Sequence, residues 1–279
     1  MGNLKEKALE LRRSIFRTIY RGGGGHLPAS LSIVEIMVAL YYGGILNVDP
    51  QNPSKPERDR FILSKGHACV TLYCILADKG FFGKEHLSTF GKKNTILGGH
   101  PDMYKVPGVE ASTGALGHGF PFGVGIALAG KLEKKNYNVF TLLGDGECQE
   151  GSIWEAAFFA SQHNLDKLVA IIDYNKLQAL GKLDNIVSLE PLADKWKACG
   201  WEVTEVDGHD FDQLLDVFKN IPLAKGKPNL VIANTVKGKG ISFMENVSIW
   251  HYRLPNEEEM KIVCEELEIE NLDLGYGEG

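Results

Sequence analysis

An aspartate set between two glycines, Gly144-Asp145-Gly146, is followed thirty positions later by Asn175. Together they offer two hard oxygen donors, one charged and one neutral. Such donors suit Mg²⁺, which demands a near-octahedral oxygen shell and commonly keeps phosphate oxygens and water within it. Two side chains and a nearby backbone carbonyl leave that shell incomplete, so the missing ligands imply a phosphate-bearing cofactor. Gly144 and Gly146 let the backbone approach phosphate closely, and a helix starting just beyond them turns its positive end toward negative charge. An isolated Gly-Asp-Gly would be no more than a strand-ending turn. The spaced Asn175 is what makes it a ligand set. Histidines supply a second chemistry: His26, His67 and His100 each follow a glycine. Imidazole titrates near neutrality, so inward-facing rings could move protons to and from substrate oxygens. His86, His163 and His209 lie in charged or helical surroundings and read as ordinary surface or core residues.

These groups need a scaffold. Short apolar runs at Phe61–Leu63, Val139–Leu143, Leu168–Ile172, Val203–Val206 and Leu230–Ala233 are separated by stretches long enough for crossover helices. The alternation predicts an α/β fold, a mostly parallel sheet with helices on both faces. Asp145 and Asn175 then follow successive strands and can meet at the carboxyl edge, where open α/β sheets bind their ligands. Ahead of the sheet, Asn3 is expected to cap a helix whose face carries Leu4, Ala8, Leu11, Ile15 and Ile19, ending at the run Gly22 to Gly25. Ser32 and Glu35 are spaced as a capping box for the next helix. A helix is expected from about Ile153 to His163. Residues 91–119 are rich in Gly and Pro and long for an idle connection. The last residues, Glu268 to Gly279, read as polar and poorly tied down. One domain over 1–279 is the simplest division.

The 279 residues are 44% hydrophobic and 24% charged, within the globular range, which argues against long disorder. The net charge of −6 lacks the basic footprint of a nucleic-acid binder, so no nucleic-acid partner is expected. Five scattered cysteines, an odd number without a C-x-x-C pair, argue against a disulfide framework and fit a cytoplasmic location. No apolar run reaches the length of a membrane span, so no membrane association is expected. Lys237-Gly238-Lys239-Gly240 lacks the order of a Walker loop, and its cations are expected to meet a diphosphate instead. The Gly117-x-Gly119 run matches a dinucleotide fingerprint only loosely. Phe120-Pro121-Phe122 could form a cofactor wall or core and are expected in the core, Trp154, Trp196 and Trp201 read as packing anchors, and Cys148 has no neighbour that would activate a thiolate.

The pairing of Gly144-Asp145-Gly146 with Asn175 resembles the signature of thiamine diphosphate enzymes. The longer string from Gly144 to Gly151 with Trp154-Glu155-Ala156 is similar to transketolases. So are Gly25-His26, Ser64-Lys65-Gly66-His67-Ala68, Gly99-His100-Pro101, the run Thr113 to Gly119, and Trp250-His251, in order and spacing. The resemblance implies that Asp145, Asn175 and the Leu177 carbonyl hold the metal, Mg²⁺ or in its place Ca²⁺ or Mn²⁺. It implies that His67, Gly146, His251 and Lys237 meet the diphosphate. Gly114, Ala115 and Leu116 would rest against the cofactor rings, and His26, His100 and His251 would face the sugar. Glu150 and Glu155 match carboxylates linking the two halves of the active site, while His118 stays open between cofactor loop and backbone lock. Ala29 and Tyr174 depart from the family pattern, where a hydroxyl residue and a second Asn are common.

By the same resemblance, the carboxylic acid that activates the pyrimidine ring sits on a separate domain, expected on a second polypeptide that also carries the C-terminal domain. The expectation is the N-terminal subunit of a two-chain transketolase, an α2β2 heterotetramer in which thiamine diphosphate transfers a two-carbon ketol unit between sugar phosphates. The alternatives are the diphosphate-binding subunit of a 2-oxo acid dehydrogenase and a non-catalytic relative.

Overall fold

The computed structural model describes residues 2–270. Five strands form the sheet: β1 (Arg60–Leu63), β2 (Val139–Gly144), β3 (Leu168–Tyr174), β4 (Glu202–Asp207) and β5 (Asn229–Asn234). Each predicted strand is present, extended by one or two residues. All pairings are parallel and the order is β1-β2-β3-β5-β4. The helices are α1 (Gly2–Arg21), α2 (Leu27–Leu31), α3 (Val34–Tyr42), α4 (Cys69–Lys79), α5 (Gly119–Leu132), α6 (Gly151–Gln162), α7 (Leu183–Ile186), α8 (Leu192–Ala198), α9 (Phe211–Lys219) and α10 (Glu257–Glu266).

The central strands are buried on both faces, which is why they read as unbroken apolar runs rather than as alternation. Phe140, Leu142, Val169, Ile171 and Val231 face a core built with α1, α3, α4 and α9. Val139, Leu143, Ala170, Ile172 and Ile232 face the other, built with α5, α6 and α8. Trp196 and Trp201 fill that second core, their rings 4.9 Å apart and both against Phe120, whereas Phe122, expected in the core with it, lies on the outer side of α5 and is exposed. No helix among the described residues is long and apolar enough to cross a membrane.

Three local expectations are corrected. Helix α1 begins at Gly2, so Asn3 lies inside its first turn rather than capping it. The Ser32–Glu35 capping box does not form: α3 starts after Ile33 without a side-chain cap, and an extra short helix, α2, follows His26 directly. Tertiary partners win both side chains. The Ser32 hydroxyl donates to Asp173 at 2.8 Å, and Glu35 is taken by Arg12 and His209. The start of the expected loose tail is tied down, since Arg13 donates to the Leu267 carbonyl at 2.6 Å and pairs with Glu268, and Ile269 is buried. The remainder of that segment, 271–279, lies outside the described residues. Residues 90–118 form the expected long irregular segment, pinned to α4 by the Tyr73 hydroxyl, which donates to the His100 carbonyl at 2.7 Å.

Candidate functional site

β2 and β3 are neighbours with Gly144 opposite Asp173, so the turns that follow them lie side by side at the carboxyl edge. Asp145 leads the first turn: one carboxylate oxygen accepts the Gly146 N–H at 2.7 Å, the other the Lys176 N–H of the second turn. Two residues on from Asp173, the Asn175 side-chain oxygen accepts the Leu177 N–H at 3.0 Å, and its NH₂ donates to Asp173 at 2.9 Å. The two turns are thus locked to each other.

Over them opens a cavity of about 260 Å³. The structure brings ten of the sequence-predicted residues to it: His26, His67, Gly114, Leu116, Asp145, Gly146, Asn175, Leu177, Lys237 and His251. His100 stands beside it, its ring 6.3 Å from that of His26. Ala115 and Glu150 are exposed and outside the lining, as is Glu155. His118 is exposed and bonds through Nδ1 to the Leu116 carbonyl, within its own loop. Tyr174 turns its hydroxyl away, to Glu190 at 2.5 Å, while Ala29 lines the cavity. Cys148 is fully buried and its thiol lies well above the usual range, which suits an inert packing residue.

Several participants were given no role of their own by the sequence, even where they lie within the matching segments. Lys65, two residues past β1, forms a fully buried ion pair with Asp173 of β3. Ser32 and Thr235 also donate to Asp173. Burial pushes that carboxyl up, but Lys65 and these donors outweigh it and hold it below the ordinary value. Glu147 is buried too, accepting from Ser64 at 2.5 Å, from the Gly117 N–H at 3.0 Å and from the Gly144 N–H at 3.1 Å. It therefore fastens the 113–117 loop to the turn that carries Asp145. A cation just past a buried strand and an acid three residues past a glycine were the available clues.

The electrostatics favour an anion. Burial, and then Asp173, raise Asp145 to about 6. Burial, and then Lys65, lower Lys237 to about 8. Burial and neighbouring cations lower His26 and His251 to about 4 and push His67 well below its ordinary value. The rings of His26, His67 and His251 lie 5.0 to 6.0 Å apart and are neutral at pH 7.

The donor set also fits a metal diphosphate. The Leu177 carbonyl already accepts a cation, the Lys237 ammonium, at 2.9 Å. Among the described residues no group of three or more His, Cys, Asp or Glu side chains could hold a metal. A metal here would draw on Asp145, Asn175 and this carbonyl, with phosphate oxygens completing its shell. Two polar atoms on the cavity, His251 Nδ1 and Gln178 Nε2, are buried without any partner, as expected of groups awaiting a ligand. A Cβ on Gly146 would come within 3.0 Å of the Gln178 side chain, so glycine keeps that wall open.

Known proteins resemble this chain in sequence and fold. Residues 5–271 match the family described as transketolase, thiamine diphosphate binding domain. The chain is 45% identical to an apulose-4-phosphate transketolase subunit of Actinobacillus succinogenes over 268 residues, 96% of each chain. It is 44% identical to a 6-deoxy-6-sulfo-D-fructose transketolase subunit of a Clostridium species, over 96% of this chain and 97% of that one. The crystal structure of Campylobacter jejuni transketolase superposes with a TM-score of 0.90 at 31% identity, covering 96% of this chain but 43% of that one. The chain therefore spans nearly the whole of the subunit relatives and about two-fifths of the longer transketolase. Sequence, fold and pocket together place this chain in the transketolase family of transferases, as a member of its N-terminal, thiamine diphosphate-binding group.

Proposed function

We propose that the chain is the N-terminal subunit of a two-chain transketolase, which transfers a two-carbon ketol unit from a ketose phosphate to an aldose phosphate. The observation that carries this reading is the cavity in which Asp145, Asn175 and the Leu177 carbonyl face Lys237 below a cluster of neutral histidines. Thiamine diphosphate, when bound, supplies the nucleophilic carbon that cleaves and remakes the bond next to a ketose carbonyl.

The protein's own residues do the rest. Asp145, Asn175 and Leu177 would hold Mg²⁺, and Lys237, His67, Gly146 and His251 would receive the diphosphate. Gly114 and Leu116, with Ala115 beside them, would wall the rings. His26 and His100 would face the sugar. A neutral imidazole presents one N–H and one lone pair, so it can orient a hydroxyl and accept its proton. Anionic phosphate in the cavity would offset Lys65 and Lys237, which makes protonation of these rings easier than in the cofactor-free chain.

A partner chain is supported by the relatives that bear subunit names and by an exposed apolar face on α5 and α6. Phe122, Leu132, Phe158 and Phe159 are 48%, 74%, 58% and 44% exposed there, next to exposed Glu150 and Glu155. That partner would carry the pyrimidine-binding and C-terminal domains, in an α2β2 assembly, with the present chain forming a single domain. The relatives' names make a branched sugar phosphate and a sulfonated ketose candidates alongside pentose phosphates. We place the enzyme in the cytoplasm, where its five free cysteines would stay reduced.

The test is a ketol-transfer assay with Mg²⁺ and thiamine diphosphate, with and without the partner chain, across a panel of those three sugar types. Turnover only in the mixture is expected, and full turnover by the single chain would overturn the two-chain reading. Asp145→Ala should abolish cofactor retention in calorimetry while the circular dichroism of the fold persists. Unchanged affinity would remove Asp145 from the metal site.

A further inference from the structure

Lys237 reaches the cavity from the loop after β5, and that loop is held from behind by a buried ionic group lying outside the cavity lining. Arg12 of α1 and Glu35 of α3 form a two-pronged ion pair, with bonds of 2.7 and 2.9 Å, and are only 6% and 8% exposed. The remaining Arg12 nitrogen, Nε, donates to the Lys239 carbonyl at 3.0 Å. On the other side, His209, in the loop after β4, lies 2.9 Å from Glu35 through Nδ1 and accepts the Val236 N–H at its Nε2, also at 2.9 Å. Because Nε2 accepts from a backbone amide, Nδ1 must carry the proton and donate it to Glu35, so both contacts fix one tautomer.

The group thus grips the chain at Val236 and at Lys239, one residue before Lys237 and two after it. The intervening Gly238 N–H donates to the Pro28 carbonyl at 3.0 Å, a third tie. Gly240 completes the fit: its φ of +97° suits glycine, and a Cβ there would come within 2.8 Å of Arg12 Nε. Burial alone would raise the Glu35 carboxyl, yet His209 and Arg12 hold it at about 2, so it stays ionised as the hub.

We propose that Arg12, Glu35 and His209 are positioning residues: by clamping residues 236–239 on both sides, they aim Lys237 at the Leu177 carbonyl and at the diphosphate that would lie there. The functional part rests on the reading of Lys237 given above. A bidentate arginine is required because lysine offers no planar fork and no second nitrogen for the Lys239 carbonyl.

The two faces of the imidazole can be removed separately. His209→Gln keeps an acceptor at the Nε2 position for the Val236 N–H, whereas His209→Asn keeps a donor at the Nδ1 position for Glu35 and gives up Val236. Amide hydrogen exchange of the full chain, read over peptides covering 235–241, reports the clamp without any cofactor. At least tenfold faster exchange is expected in His209→Asn and in Arg12→Lys, with β2 and β3 peptides unchanged, and near wild-type exchange in His209→Gln. Thiamine diphosphate affinity with Mg²⁺, measured by calorimetry on the chain with its partner, should fall at least tenfold in His209→Asn and recover in His209→Gln. Wild-type exchange in His209→Asn, or equal behaviour of the Asn and Gln variants, overturns the clamp. Lys237→Ala separates the premises: if it leaves cofactor affinity intact, the role of Lys237 and the functional part of this proposal fall together, while exchange in His209→Asn still decides the clamp.

Discussion

Replacing Lys65 by Met keeps the aliphatic length of the side chain and removes the cation paired with Asp173, both groups being almost wholly buried. Breaking such a pair by deleting one partner typically costs about 3–5 kcal/mol. The structure allows a bound on that cost. The stranded carboxylate can always escape by taking a proton, which at pH 7 costs about 1.36 kcal/mol for each of the roughly 3.1 units above an unfolded value near 3.9, or about 4 kcal/mol. At pH 5 the same arithmetic gives about 1.5 kcal/mol. In the wild type Asp173 is held below its unfolded value, so its stabilisation is present above that value and is lost only as pH falls through the folded one. In the variant, burial without Lys65 raises Asp173 above its unfolded value, and the penalty grows with pH. The two proteins should therefore differ most near neutrality and converge in acid. Urea unfolding at pH 7 and pH 5 measures this, with Lys65→Met/Asp173→Asn recovering most of the loss because the neutral amide strands no charge: its oxygen takes the place that accepts from Ser32, and its NH₂ donates to the Thr235 hydroxyl. A deficit below about 1 kcal/mol at pH 7, or one of equal size at both pH values, refutes the reasoning.

Glycines on one helix should respond oppositely: Gly123→Ala drives a Cβ to 2.3 Å from the Thr141 methyl, whereas Gly125→Ala meets nothing within 4 Å. In thermal unfolding of the chain, the first should lose about 1–3 kcal/mol and the second gain about 0.5–1 kcal/mol. Glu147→Gln keeps an acceptor for Ser64 and Gly117 but turns an NH₂ toward the Gly144 N–H, which should cost about 1–3 kcal/mol in chemical denaturation. Because His26 and His251 titrate near 4 when folded, below their unfolded value, the unfolded chain binds more protons between about pH 4 and 6.5. Stability of the cofactor-free chain should therefore rise with pH across that window, and His26→Gln should flatten the slope of the unfolding midpoint against pH.

The sheet was legible because its central strands β2, β3 and β5 are covered on both sides and read as unbroken apolar runs, whereas the edge strand β4, largely half-buried or exposed, was marked only by Val203 and Val206. The ligand set was legible for a related reason. Asp145 and Asn175 follow strands adjacent both in sequence and in space, so spacing along the chain translated into proximity. What escaped is long-range polar pairing. Lys65 and Asp173 are 108 positions apart, and His209 and Glu35 are 174 apart, and no local period announces such partners. His209 read as an ordinary surface or core residue for that reason, although it supports the backbone next to Lys237. Ser32 and Glu35 show the converse: a good local spacing was overruled because each side chain found a stronger buried partner. Gln178 was overlooked because a glutamine in a turn carries no chemical flag until burial strips it of water.

The strand order has a consequence for how a nascent chain matures. Residues 229–234 wedge between β3 and β4, so β4 has no neighbour and one side of β3 stays unpaired until translation has passed Asn234. Until then two open rims wait, the kind of exposed template that invites wrong pairing with other chains. The stretch that closes them brings Thr235 to Asp173 and Lys237 to Leu177 immediately afterwards. Sheet closure and assembly of the anion-receiving pocket are therefore a single late event, and a fragment ending before residue 229 would lack both.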